Sequence, residues 1–347
     1  MHKHGGDIYG KDNIIDFSAN INQKGIPEGI VKAALEGIRM SIHYPDVRCQ
    51  ELREGIAKKE NLPVEYIRCG NGAADVIFSL VLAKKPKKAL LPAPTFYEYE
   101  QALRAVECEI EYYYLKDEND FMFDEGYFDY LKDDIDIVFI CNPNNPSGAL
   151  CEKDYLKKVV KKCEEKDILL VLDECFNDLL DEPSKYSMTD ELKETKNLFI
   201  LKAFTKLYAM PGLRLGYGLS KDEELLAKIA EVSQPWSVSI PAQKAGIAAL
   251  KEDRYVKESK AEIKKEREYL LKSFKRLGIR TFGSHANYIF FKAWDNLNVQ
   301  CEEHGILIRD CSNYEGLTKG YYRIAVRIHE DNEKLISLLE KLMEENN

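Results

Sequence analysis

Two short apolar runs, Ile135–Cys141 and Ile168–Leu172, lie either side of the amphipathic stretch Glu152–Lys166, and they restrict this chain more than anything else in it. A short run that is apolar almost throughout, without alternation, reads as a strand covered on both faces. Two such strands joined by a helix form a crossover unit, and a parallel sheet with helices on both sides buries them. Candidate strands at Lys88–Leu91, Glu109–Leu115, Leu198–Lys202 and Leu213–Leu219 extend the pattern. The outer face of the crossover helix would carry Lys157, Lys158, Lys161 and Lys162, a solvated surface rather than a binding patch.

After about residue 240 the texture changes. The charged helical stretch Lys251–Arg276 leads into shorter apolar segments at Ile279–Phe282, Asn287–Lys292, Ile306–Arg309 and Tyr321–Val326, which predicts a smaller α+β domain. A long helix over residues 245–276 is expected to join the two parts. Residues 1–30 show little period and read as an arm folded over the smaller domain or a partner subunit. The division expected is a large domain over residues 32–248, with residues 1–31 and 249–347 forming the small domain and its arm.

Composition removes several function classes. The net charge of -9 argues against broad nucleic-acid binding, which needs basic surface to displace counterions. No apolar stretch approaches the ~18 residues of a membrane span, and the segment Met1–Gly6 lacks the apolar core of a secretory leader. The nine cysteines show no C-x-x-C pair and no Cys/His cluster. Reduced thiols in a cytoplasmic protein, with no metal site, are therefore expected. Cys141, Cys163 and Cys175 lie in or beside apolar stretches and read as small core residues.

Chemistry gathers at the ends of the predicted strands. Asn142-Pro143-Asn144-Asn145-Pro146-Ser147-Gly148 makes a stiff turn directly after Ile135–Cys141, at the carboxyl edge where open α/β sheets bind ligands. Val171-Leu172-Asp173-Glu174 places an acid at the end of the next strand. Ala203-Phe204-Thr205-Lys206 follows Leu198–Lys202, and a lysine in apolar company there can serve as a nucleophilic amine. Eight residues on, Arg214 opens a further strand. Each element alone is weak, since turns, terminal acids and lysines are common; their order is the signal.

That ordered set resembles the aminotransferase superfamily of fold-type-I pyridoxal-5′-phosphate (PLP) enzymes across nearly the whole chain. The resemblance implies a mainly parallel seven-stranded sheet in the large domain, PLP as cofactor, and a homodimer with shared sites. It implies that Lys206 carries the cofactor as a Schiff base and shuttles protons. Asp173 would keep the pyridine nitrogen protonated, and Asn145 would bond the ring's phenolic oxygen. Gly70-Asn71-Gly72-Ala73-Ala74-Asp75 looks like the phosphate loop, with Ala73 and Ala74 amides at a helix start and Thr205 and Arg214 completing the shell. Phe96 matches the residue that stacks on the ring. Tyr44, in Tyr44-Pro45-Asp46, matches a tyrosine that reaches the phosphate from the neighbouring subunit. Two positions depart from the pattern: Phe176 stands where relatives often have tyrosine, and Ala203 where many have Ser or Thr.

Within the superfamily two branches are close. Asn-Pro-Asn-Asn-Pro and Tyr-Pro-Asp occur in histidinol-phosphate aminotransferases. His4-Gly5-Gly6, Asp16–Asn22, Pro235–Val238, Cys311-Ser312-Asn313-Tyr314 and Tyr321–Arg327 look more like the threonine-phosphate decarboxylases of cobalamin biosynthesis. By that resemblance Arg323 would take the substrate's α-carboxylate and Arg309 its distal phosphate, with His4 and Asn20 in segments that close over it. Arg327 is either a further anion contact or a salt bridge within the small domain. The reaction expected is decarboxylation of L-threonine O-3-phosphate to (R)-1-aminopropan-2-yl phosphate. The alternatives are amino transfer on histidinol phosphate, serine phosphate as substrate, or a PLP-binding module without catalysis.

Overall fold

The computed structural model describes residues 4–346. Met1–Lys3 and Asn347, assigned above to the small domain and its arm, lie outside them. Seven strands form the large sheet in the order Ile67–Gly70, Gly216–Ser220, Leu198–Ala203, Leu169–Asp173, Ile137–Cys141, Lys88–Ala93 and Glu109–Tyr114. Gly216–Ser220 runs antiparallel to both its neighbours, and the remaining pairs are parallel. The strands within the two apolar runs, Ile137–Cys141 and Leu169–Asp173, are buried along their whole length at the centre of the sheet. The crossover helix, Lys153–Glu165, packs Leu156, Val159, Val160 and Cys163 inward and leaves Lys157, Lys158 and Lys161 exposed.

The second sheet has four antiparallel strands in the order Arg309–Asp310, Tyr321–Ala325, Tyr288–Lys292 and Arg280–Phe282. The N-terminal arm belongs to this unit. Ile15–Asp16 pairs in parallel with Ile306–Leu307, and Phe17 is fully buried with Phe274, Phe291 and Ile324. The arm lacks sequence period because it adds two paired residues and one anchoring ring, too little to show any.

Three expectations need correction, and one strand was not foreseen. The joining helix is two helices, Ile240–Ala249 and Asp253–Arg276, the first started by the Ser239 side chain accepting from the Ala242 amide. The strand expected from Leu213 starts at Gly216, because Pro211–Leu213 is a single 3₁₀ turn and Arg214 sits at φ +57. Ile306–Arg309 divides into two short strands that pair with different partners. Ile67–Gly70, an edge strand of four residues, carried too short an alternation to be recognised. Among the described residues no helix is long and apolar enough to cross a membrane.

Candidate active site

Parallel strands bring their carboxyl ends to one edge of a sheet. Here that edge presents Phe96, Asn145, Asp173, Thr205 and Lys206, each at or shortly after a strand's last residue. Because Gly216–Ser220 runs the other way, its amino end delivers Arg214 to the same edge. These side chains line a cavity of about 290 Å³, closed on its far side by Arg309, Tyr314 and Arg323 of the small domain and by His4, Ser18 and Asn20 of the arm.

Asp173 is buried and held on both oxygens. Its Oδ2 accepts from the Tyr99 hydroxyl at 2.5 Å and its Oδ1 from the Cys175 amide at 2.9 Å. Tyr99 is itself fully buried and stacks on Phe139 with ring centroids 4.7 Å apart. Burial and the Asp173 charge push its phenol pKa far up, so Tyr99 stays a donor and Asp173 the acceptor. Lys206 lines the same cavity as Asp173, with its Nζ 5.6 Å from the Phe176 ring centre. Its pKa is lowered, first by burial and then by the positive charge of Arg323. Both effects favour the neutral amine, the form that attacks a carbonyl carbon.

At one end of the cavity the backbone forms an anion cradle. The helix Ala73–Lys84 starts immediately after Gly72, which sits at φ +88 and ψ 163. A Cβ on Gly72 would lie 2.4 Å from Arg214 Nη2, and one on Gly216 would lie 2.4 Å from the Ala73 amide nitrogen. Glycine at both positions lets the Arg214 guanidinium and the first amides of the helix approach one point, where a phosphate fits.

At the other end stand two buried guanidinium groups. Arg323 donates to Asn145 Oδ1 and, at 2.8 Å, to the Ser18 carbonyl, while its buried Nε has no hydrogen-bond partner among the described residues. Arg309 donates to Asn313 Oδ1 at 2.9 Å and lies 5.2 Å from the Tyr314 ring centre, so the Cys311–Tyr314 segment fixes its direction. Both amide atoms of the buried Asn20 likewise lack a partner among the described residues. Unsatisfied polar groups in a closed cavity are costly unless a ligand engages them.

Twelve of the side chains singled out in the sequence meet in this cavity: His4, Asn20, Ala73, Ala74, Phe96, Asn145, Asp173, Thr205, Lys206, Arg214, Arg309 and Arg323. Tyr44 does not. It is 77% exposed and its ring packs against Trp236 at 4.7 Å. Arg327 also stays outside, paired with Asp331 at 2.9 Å and donating to the Asp16 carbonyl at 2.7 Å, which resolves its two readings in favour of the salt bridge. Two contributors escaped the sequence reading, Glu98 in the cavity wall and Tyr99 beneath Asp173; Cys175, read there as a small core residue, instead lines the cavity, its thiol pushed up by burial. Tyr99 was detectable in principle, lying one helical turn from Phe96 on the same face. Glu98 was not, since an acid in a helix's first turn is ordinary.

The residues present fit PLP. The cradle has room for a phosphate, Asp173 lines the cavity with its carboxylate anchored, and Lys206 lines it with its amine shifted toward the neutral form. The chain resembles known proteins along nearly its whole length. Residues 12–342 match the family model "Aminotransferase class I and II". The threonine-phosphate decarboxylase of Salmonella typhimurium is 32% identical over 98% of this chain and 96% of its own. A putative threonine-phosphate decarboxylase of Caldanaerobacter subterraneus is 35% identical over 99% and 95%. The crystal structure of the histidinol-phosphate aminotransferase of Clostridium acetobutylicum superposes with a TM-score of 0.88 at 33% identity, covering 94% of this chain and 98% of that one. The fold and site are those of a PLP-dependent enzyme. The chain belongs to the class I and II aminotransferase family.

Proposed function

We propose that this enzyme decarboxylates L-threonine O-3-phosphate to (R)-1-aminopropan-2-yl phosphate and CO2, in cobalamin biosynthesis. The observation that carries the reading is the pair of buried arginines, Arg309 and Arg323, that line the cavity with Lys206. One guanidinium suffices for an amino acid's carboxylate; two, with the cofactor's phosphate already held at the far end, fit a substrate with two anionic groups. Histidinol phosphate has a phosphate and no carboxylate. An aminotransferase acting on it remains the second reading, favoured by the 33% identity to the Clostridium enzyme.

Bound PLP supplies a ring that accepts electrons from whichever bond to the substrate's α-carbon stands perpendicular to it. The chain's residues choose that bond. Arg323, directed by Asn145 Oδ1 and the Ser18 carbonyl, orients the α-carboxylate, and Arg309, directed by Asn313, receives the phosphate. A substrate fixed at both ends has one rotation about its α-carbon, so position selects loss of CO2 over loss of a proton. Asp173, anchored by Tyr99 and the Cys175 amide, keeps a proton on the pyridine nitrogen. Lys206 Nζ delivers the proton that replaces the departing carboxylate. His4 and Asn20, on the arm, exclude water.

Assembly belongs to the same proposal. Leu35, Ile38, Ile42, Tyr44, Val47 and Trp236 are all exposed, and Tyr44 packs against Trp236; exposed apolar side chains that cluster mark association surfaces. A homodimer that buries it would bring Tyr44 to the partner's cofactor phosphate, in the cytoplasm where the thiols stay reduced. The substrate assignment is tested through the arginines. In Arg309→Ala the ratio of kcat/KM for threonine phosphate over free threonine collapses, whereas Arg323→Ala lowers both constants and keeps the ratio. Preservation of the ratio in both variants would remove the phosphate from this end of the cavity.

A further inference from the structure

Glu98 is the second residue of the helix Tyr97–Arg104, which starts directly after Phe96. An acid in a helix's first turn is normally solvated and favoured by the helix dipole. Glu98 is instead 16% exposed, and its Oε2 is buried with no hydrogen-bond partner among the described residues. Its Oε1 lies 3.5 Å from His4 Nδ1. The charged and titratable groups around it come from every wall: His4 from the arm, Arg309 and Tyr314 from the small domain, Lys206 and Asp173 from the large sheet. Burial raises the Glu98 carboxyl to about 7. The His4 imidazole is lowered by burial and then by the Arg309 charge.

The arm is fixed to this place at a second point. Gly5 has no room for a side chain, since a Cβ there would lie 2.1 Å from the Ser18 carbonyl oxygen, and the Gly6 amide donates to Ser18 Oγ at 2.7 Å. The Ser18 carbonyl is the one that receives Arg323. His4 thus ties an arm already seated on the arginine's support to the opposite, large-domain wall.

We propose that Glu98 is a positioning residue that holds His4 through one shared proton, latching the arm over the cavity while an anionic substrate is bound. The inference rests on the reading that this substrate carries a phosphate. With one proton, the pair is neutral whichever partner holds it, and it tolerates a phosphate held by Arg309. Without the proton, it presents a carboxylate to that phosphate, and repulsion opposes closure.

The test uses the PLP-loaded enzyme and the kcat/KM ratio of threonine phosphate over free threonine, in which ionisations common to both substrates cancel. In wild type this ratio falls with rising pH above about 7, approaching tenfold per pH unit as for one ionisation, and the change lies in KM. In Glu98→Gln and in His4→Ala that limb is absent. In parallel, hydrogen exchange of the segment from Gly5 to Ser18 is slowed by threonine phosphate at pH 7 and not at pH 9 in wild type, and loses that pH dependence in both variants. A limb retained in Glu98→Gln, or a flat ratio in an active wild type, overturns the latch. If wild type releases no CO2 from threonine phosphate, the proposed reaction fails instead. The latch then stands or falls on whether inorganic phosphate alone slows arm exchange at pH 7 and not at pH 9.

Discussion

Gly72→Ala should weaken cofactor binding without touching any group that reacts. Gly72 occupies φ +88 and ψ 163, a conformation reached almost only by glycine, and a side chain there costs about 1–3 kcal/mol of strain. The added Cβ would lie 2.4 Å from Arg214 Nη2, so the guanidinium must withdraw by about 1 Å to reach ordinary contact. Arg214 is braced by its own donation to the Pro211 carbonyl at 3.1 Å, which limits where it can go. Losing one charged hydrogen bond to the cofactor phosphate costs about 1.5–3 kcal/mol, which is roughly a 10- to 150-fold rise in Kd. The assay is absorbance titration of the apoenzyme with PLP. Gly212→Ala is the control, because a Cβ at Gly212 meets nothing within 4 Å. A Gly72→Ala enzyme that binds PLP within twofold of wild type would refute the cradle.

Two further outcomes follow from the same geometry. Lys206→Ala abolishes turnover while the phosphate contacts still retain some PLP, and borohydride reduction of wild type followed by peptide mapping places the label on Lys206; a label on another lysine contradicts the assignment. Asp173→Asn loses about 3–4 kcal/mol of transition-state stabilisation, by analogy with the removal of other preorganised polar groups, and kcat falls roughly 100- to 1000-fold. Near-normal turnover in that variant means Asp173 does not serve the ring.

The sheet was legible because its central strands are covered on both faces, and burial on both faces leaves Ile137–Cys141 and Leu169–Leu172 wholly apolar. Lys206, Asp173 and Asn145 were legible for a related reason: chemistry on such a sheet sits where strands end, so locating the strands located the residues. The elements that escaped were those shaped by contacts distant in sequence. Ile15–Asp16 is a strand only because Ile306–Leu307 lies beside it. The helix break at Leu250–Glu252 carries no proline or glycine to announce it. Glu98 differs from the solvated acids of other helix starts only through the arm and small domain that cover it. The sequence left Arg327, four residues past Arg323, open between an anion contact and a salt bridge. Arg323 lies on a strand that faces the cavity, while Arg327 lies beyond that strand's end and meets Asp331.

The central claim is that this site releases the carboxylate of a phosphorylated amino acid instead of exchanging its amino group. The direct measurement incubates the PLP-loaded enzyme with carboxyl-labelled L-threonine O-3-phosphate, with and without 2-oxoglutarate, and follows labelled CO2 and glutamate together. Labelled CO2 should appear at a rate independent of 2-oxoglutarate, with aminopropan-2-yl phosphate in equal amount and no glutamate. Glutamate formed in proportion to 2-oxoglutarate, with the label retained in the keto acid, would contradict it.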